Sequence, residues 1–193
     1  MSTVLFAVVL VVIAAVLFGR HKRRRRLVIR APRLGVLNLK GNAAEADAAA
    51  DIHALTPILG NPVAGSTSQP FCDVLFIYCD VAPDGMLGGF PGTLRDLIQK
   101  LNCPLVVVAT ENSGDAYIAS TKGQGYGRAN LVMTLSRRGD AFAHFFVQLF
   151  SDMKEGTSMP VAWAKIAPQG PVNGHQALPS TIFACELGQL AFG

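Results

Sequence analysis

The first 19 residues of this 193-residue chain contain no charged side chain, and no acidic residue precedes position 41. Nothing basic stands before this apolar run, whereas the basic run RHKRRRR follows it directly. A secretory signal peptide has the opposite order, with its positive charges first and a small-residue cleavage site after the apolar run. The absent charges therefore argue against a cleaved leader. They predict a transmembrane anchor over residues 1–19, which as a helix would span about 28 Å.

The basic run sets the expected orientation of this anchor. Positive residues beside a membrane segment stay on the cytoplasmic side, so the N-terminus is expected outside and the body in the cytoplasm or the mitochondrial matrix. The run also suits the anionic headgroups of a lipid bilayer. A nucleic-acid patch or a mitochondrial presequence explains the basic residues less well, because neither accounts for the wholly apolar run beside them. We therefore expect no nucleic-acid partner. The predicted membrane-flanking residues are Arg20, Lys22, Arg23, Arg24, Arg25 and Arg26.

Charge divides the chain unevenly. Nine of the 17 basic residues lie at or before position 40, although the formal net charge of the whole chain is only +4. The remaining 8 basic and all 13 acidic residues give the rest of the chain a net charge of about −5. This shift in composition, together with the length, predicts three parts: an anchor at 1–19, a basic stem at 20–33 and a single folded domain at 34–193.

Cysteine and histidine are scarce, with four of each and no CxxC pair. This scarcity argues against a zinc site, because no histidine lies at ligand spacing from a cysteine. We expect the cysteines to be reduced and mostly buried; an extracytosolic domain with two disulfides remains the alternative. No histidine occurs between His53, which we expect on a helix surface, and His144.

Apolar segments alternate with helical patterns throughout the body. The segments expected as strands are continuously apolar, which is typical of strands buried on both faces of a parallel sheet. Thr93 followed by Asp96 is the pattern of a helix-capping box, and 111–128 is expected as a loop or broken helix. We therefore predict an α/β fold, a three-layer sandwich around a mostly parallel sheet. The expected strands lie within 34–42, 71–81, 103–110, 129–136 and 180–193, and the expected helices within 43–60, 93–102, 139–156 and 158–168.

Several of these segments have the form of known motifs. "VLNLKGN" is similar to a first strand and its turn, and "VLFIYCDVAPDG" to a strand that delivers a catalytic histidine. "LVVVATENSG" is similar to a strand that delivers a nucleophile, and "HQALPSTIFACELGQLAF" to a closing segment with a Gln-x-x-Pro element. In this order, the segments resemble the caspase/metacaspase clan, including its CHAT relatives, over residues 34–193.

The resemblance implies a site whose chemical groups are missing. The nucleophile position falls on Glu111, and the general-base position falls at or near Ala82. A carboxylate is a weak nucleophile toward an amide, and without an imidazole no group would relay the proton to the leaving amine. The resemblance therefore implies a pseudoprotease that needs no cofactor or metal and serves as an accessory or interaction subunit of a membrane-associated complex. The positions of the degenerate site are Asp80, Ala82, Glu111, Asn112 and Ser113.

Three other interpretations stay open at this point. Cys79 or Cys185 would make an active hydrolase if either met a histidine, His144 or His175, in the fold. Oxygen ligands at the strand ends would suit Mg²⁺ or Ca²⁺. The glycine-rich segment 121–128 would suit the phosphate of a nucleotide in a sensor domain, although it lacks the P-loop order. The candidate metal ligands are Asp80, Asp84, Glu111 and Asp115.

Overall fold

The computed structural model describes residues 26–63, 72–121, 129–166, 179–185 and 187–193. Within these ranges no helix has both the length and the apolar character needed to cross a bilayer. The predicted anchor at 1–19 and the basic residues from Arg20 to Arg25 lie outside them.

The described part of the chain alternates between strands and helices, as the sequence predicts. The strands are β1 (Leu27–Ile29), β2 (Leu34–Asn38), β3 (Val74–Tyr78), β4 (Leu105–Val108), β5 (Asn130–Ser136), β6 (Ser180–Ala184) and β7 (Leu190–Phe192). The α-helices are α1 (Glu45–Leu59), α2 (Leu94–Leu101), α3 (Gly114–Thr121), α4 (Ala141–Lys154) and α5 (Met159–Ile166), and a 3-10 turn at Gly41–Ala44 precedes α1.

The central sheet has five strands in the order β2-β3-β4-β5-β6. The first four are parallel, and β6 runs antiparallel to β5. Residues of β3 and β4 are completely buried, which agrees with their continuous apolar sequence. The predicted α/β fold with a mostly parallel sheet is therefore confirmed.

Helices cover both faces of this sheet and form two separate cores. One core contains residues of α1, α4 and α5, and the other contains residues of α2 and α3. In the first core, Phe76 of β3 meets Phe146 of α4 edge to face, with ring centroids 5.2 Å apart. Phe142 and Phe150, at the i, i+4 spacing on either side, also contact Phe76, so α4 is held to the sheet by a cluster of rings.

The path of the chain between β2 and β3 explains why both faces carry helices. After α1, Val63 forms a parallel bridge to Gly35, on the edge of β2 that does not face β3. The chain thus moves outward from β2 and later returns across it to β3. Because β-α-β crossovers are right-handed, this change of direction places α1 on one face and the following helices α2 and α3 on the other.

The capping box predicted for α2 is present. Thr93 Oγ1 accepts the Asp96 N–H at 3.1 Å, and Asp96 Oδ2 accepts the Thr93 N–H at 2.9 Å. The predicted stem, by contrast, is partly built into the body. Its residues Leu27–Ile29 form β1, which pairs in parallel with β7. Residue 34 is therefore not the first residue of the folded part, because a strand that precedes it is already hydrogen-bonded to the C-terminal segment.

Candidate functional site

The ends of β3 and β4 are joined by side-chain hydrogen bonds. Asn112 Oδ1 accepts the Val81 N–H at 2.8 Å, and Asn112 Nδ2 donates to the Thr110 carbonyl at 2.8 Å. Thr110 Oγ1 accepts the Cys79 N–H at 3.3 Å and donates to the Cys79 carbonyl. The segment next to Val81 holds the predicted general-base position. It thus lies beside the segment that holds the predicted nucleophile position.

The other predicted site residues at these ends form local contacts. Asp80 is exposed, and its Oδ1 lies 2.7 Å from the Lys40 Nζ. The Ala82 N–H donates to the Met86 carbonyl at 2.9 Å and thereby closes a turn. Ser113 Oγ accepts the Ala116 N–H at 3.1 Å, where α3 begins. These contacts shape the loops rather than project a reactive group.

Glu111, which the resemblance places at the nucleophile position, contacts the next strand. Its Oε1 accepts the backbone N–H of Arg137 at 2.8 Å, immediately after the end of β5. The Asn112 N–H donates to the Thr134 carbonyl at 2.9 Å. The chain after β4 is therefore held to both β3 and β5.

Arg137 is the centre of a buried polar network that the sequence did not reveal. Its Nη1 and Nη2 donate to Asp51 Oδ2 and Oδ1 at 3.0 and 2.9 Å, and Nη1 also donates to the Ala109 carbonyl at 3.0 Å. Asp47 Oδ2 lies 3.6 Å from Arg137 Nε. The guanidinium carbon lies 4.1 Å from the centroid of the Phe142 ring, a cation–π contact. Arg137 thus joins β4, β5, α1 and α4.

Tyr78 completes the network from β3. Its hydroxyl donates to Asp51 Oδ2 at 2.6 Å. Burial raises the pKa of Asp51, against the hydrogen bonds from Arg137 and Tyr78 that favour its ionised form. Burial, followed by the charge of Asp51, raises the pKa of Tyr78 well above its ordinary value, so the phenol remains a donor. Burial lowers the pKa of Arg137. The hydrogen bonds and the charge of Asp51 outweigh burial, so the pKa of Arg137 is raised overall. The carboxylate is therefore satisfied by three charge-assisted hydrogen bonds.

A pocket of about 390 Å³ opens beside this network. It lies at the edge where the parallel strands end, which is the usual ligand position in an open α/β sheet. Its lining mixes charges of both signs with a hydroxyl: Lys40, Asp47, Thr110, Glu111 and Arg137. Such a lining suits a polar ligand or a polar loop of another protein.

Cys79 does not meet His144, the first of the pairings that an active hydrolase would need. Cys79 is fully buried on the α2 and α3 side of the sheet, whereas His144 is exposed on α4, which packs against the other side. Burial, reinforced by Asp80, raises the pKa of Cys79 to about 12. The Cys185 thiol is partly buried and donates to the Gly188 carbonyl at 3.4 Å. The Cys79–His144 pairing is thus wrong, and His175 lies outside the described residues.

The structure also bears on the interpretations of a metal site and a phosphate site. Across the described ranges, no three or more His, Cys, Asp or Glu side chains are grouped closely enough to hold a metal ion, so the set of Asp80, Asp84, Glu111 and Asp115 is not a ligand cluster. Asp84 instead accepts the Met86 N–H at 3.0 Å. The glycine-rich segment 122–128 lies outside the described residues. The cysteines Cys72, Cys79, Cys103 and Cys185 are all free, and the Cys72 and Cys103 sulfurs lie 3.7 Å apart.

No protein-family model matches this chain, and a comparison with curated proteins finds no match.

Proposed function

We propose that this protein is a non-catalytic, caspase-like domain tethered to a membrane by residues 1–19, and that it serves as an interaction subunit of a membrane-associated complex. One observation carries the proposal. At the ends of β3 and β4, where the resemblance places the general base and the nucleophile, the side chains join neighbouring strands to one another. Glu111 binds the backbone of Arg137, and Asn112 binds the backbone of Val81. A carboxylate and an amide used in this way hold the loops in place rather than act as nucleophiles.

The topology supports the caspase-like part of the proposal. The two segments that resemble the histidine and nucleophile strands, β3 and β4, are neighbours and parallel, with Leu75 opposite Val106. Because parallel neighbours end at the same edge, the degenerate positions meet there, as the resemblance implies. The outward step of the chain to Val63 before β3 places this edge at a change of winding direction, where α/β sheets hold their ligands.

The pocket beside Arg137 supports a role in recognition. Two cations line it. Arg137 is held by its ion pair with Asp51, and Lys40 lies at the rim, where it pairs with the exposed Asp80. A rigid, mostly buried network behind a polar opening is a prearranged surface, and prearrangement reduces the entropy cost of binding a partner. We infer that a partner loop occupies this pocket.

Purification of the full chain from its native membrane in mild detergent tests this function. We expect other chains to co-purify at a fixed ratio. The variant Asp47→Lys, which reverses an exposed charge of the pocket, should weaken this association. The matched variant Asp115→Lys, an exposed charge on α3, should leave it intact. A lone 20.5 kDa species at moderate salt would contradict the proposal.

A further inference from the structure

The charges of the folded body are separated between the two edges of its central sheet. We define the carboxyl edge as the side where β2, β3, β4 and β5 end, and the amino edge as the side where they begin. The described helices α1, α2 and α4 follow strands of this set and run back along them. They therefore begin at the carboxyl edge and finish at the amino edge.

The carboxyl edge is acidic. Among the described residues it carries nine acidic and only four basic side chains, and it includes the pocket with Asp47 and Glu111. The basic four are Lys40, Arg95, Arg137 and Arg138.

The amino edge is basic. Its described acidic residues are three: Asp73, which pairs with Arg33 at 3.2 Å, Asp152, which pairs with Lys165 at 2.9 Å, and Glu155. Its six basic residues by position are Arg26, Arg30, Arg33, Lys100, Lys154 and Lys165, of which five are exposed. The Lys100 ammonium reaches back over the Phe90 ring, with Nζ 5.4 Å from the ring centroid. The described residues include 10 basic and 12 acidic side chains in all, yet this edge has three more basic than acidic residues, an excess that equals the contribution of Arg26, Arg30 and Arg33.

Hydrogen bonds show that the start of the described chain belongs to the amino edge. The guanidinium of Arg26 donates to the Gly156 carbonyl, just after α4. Lys154 Nζ, in the last turn of α4, donates to the Ile58 carbonyl near the end of α1 at 2.7 Å. The Arg33 N–H donates to Asp73 Oδ2 at 2.9 Å, where β2 and β3 begin. The segment 26–33 therefore starts and finishes at this edge.

Helix stabilisation explains only part of this charge pattern. Cations favour helix C-termini, which accounts for Lys100, Lys154 and Lys165. The other three cations, Arg26, Arg30 and Arg33, lie on no helix. In the sequence they follow directly on the basic run at positions 20–25.

We propose that the amino edge rests on an anionic lipid surface, so that the pocket at the carboxyl edge faces away from the membrane. The inference depends on the anchor at 1–19 in the proposed function. From Arg20 to Arg26 the chain extends at most about 21 Å, so the anchor keeps this edge near the headgroups. Basic side chains gain from an anionic leaflet only within roughly a Debye length, about 10 Å at 0.1 M salt. With the basic edge docked, the pocket is open to a partner in the aqueous phase.

Depth-dependent fluorescence quenching tests this orientation in the full chain. A fluorophore on Gln99→Cys reports the amino edge, and one on Asp140→Cys reports the carboxyl edge; labelled protein without either change supplies the background from native thiols. The chain is reconstituted in vesicles of phosphatidylcholine, with and without phosphatidylglycerol, which contain a headgroup-level quencher lipid. We expect quenching at position 99 only, stronger with phosphatidylglycerol and reversed by high salt.

Charge reversal provides matched variants. Arg30→Glu with Lys154→Glu should lower the docked-to-undocked ratio by at least about 25-fold, because each basic side chain near an anionic surface contributes a factor of about five. Arg95→Glu with Arg138→Glu changes the charge equally at the carboxyl edge and should not reduce docking. If a variant fails to fold, the salt and lipid dependence of the unsubstituted chain decides. Flotation of the vesicles in a density gradient shows whether the chain is bound to them. A chain that floats with the vesicles but shows equal quenching at both positions overturns this inference alone. A chain that does not float overturns the anchored function, and the inference with it.

Discussion

Arg137 and Asp51 form a bidentate ion pair between the end of β5 and the middle of α1, with N–O distances of 3.0 and 2.9 Å. The two side chains are 11% and 2% exposed. Since a buried pair is desolvated, removal of either partner leaves an uncompensated charge in the interior. The pair therefore holds the rim of the pocket in one arrangement.

The first prediction concerns this pair. Arg137→Met should lower the free energy of unfolding by about 3–5 kcal/mol, because Asp51 stays buried without its cation. Urea unfolding followed by circular dichroism measures the change. The neighbouring Arg138 is exposed, and Arg138→Met should change the stability by no more than about 0.5 kcal/mol. Similar small losses for both variants would show that the pair contributes little.

The second prediction separates the two roles of Asn112. Asn112→Ala removes the acceptor for the Val81 N–H and the donor to the Thr110 carbonyl, and should cost about 1–3 kcal/mol of stability. Asn112→Asp keeps the acceptor but places a carboxylate oxygen against the Thr110 carbonyl, so any stability that it retains over Asn112→Ala reports the contact to Val81. Denaturant midpoints of the three chains provide the comparison. An equal loss for both variants would argue that the contact to Val81 is not what joins the strand ends.

The third prediction follows from thiol burial. With a pKa of about 12, Cys79 has a thiolate fraction of only ~10⁻⁴ at pH 8, whereas an unperturbed thiol near 8.5 has a large one. Mass spectrometry after brief iodoacetamide treatment should therefore find Cys185, which is partly exposed, modified well before Cys79. Unfolding in urea should remove the difference. Fast modification of Cys79 in the folded chain would refute its burial.

The fourth prediction concerns the cap of α2 and its pH dependence. Hydrogen bonds from the Thr93 N–H and hydroxyl lower the pKa of Asp96 below its ordinary value of 3.8. A lowered folded-state pKa means that the carboxylate stabilises the protein above pH 3.8 and that this contribution disappears as the pH falls through the lower folded value. The stability of the native chain should therefore exceed that of Asp96→Asn at neutral pH, and the difference should vanish in acid. A difference that persists unchanged below pH 3 would exclude the ionised cap as its cause.

Local patterns in the sequence were enough to predict most elements of the fold. Continuous apolar runs located β3, β4 and β5, because strands covered on both faces contain few polar residues. The Thr93–Asp96 pair located the start of α2. The segment 111–128, expected as a loop or broken helix, contains the short helix α3, which Ser113 caps. Ser113 is a typical helix-capping residue and could have predicted this helix, but the nearby glycines favoured a loop.

Contacts between distant parts of the chain were beyond the reach of the sequence. Arg137 and Asp51 are 86 positions apart, and nothing in "SRRGD" distinguishes the arginine that turns inward from its exposed neighbour. The three residues of β1 are too few to show a period, and only their pairing with β7 defines them as a strand. The strand ends that bring Val81 and Asn112 together were predicted as neighbours through the resemblance to the caspase clan and through the interpretation of Asp80 and Glu111 as oxygen ligands of one site.

The most direct measurement is the reaction of the folded full chain with a peptidyl acyloxymethyl ketone, a reagent that captures a thiol activated by an adjacent imidazole. A rim built from Glu111 and Asn112 has no such thiol. We therefore predict no covalent labelling above that of a chain with Cys79→Ala and Cys185→Ala. Stoichiometric labelling of either cysteine that disappears with His144→Ala or His175→Ala would contradict it.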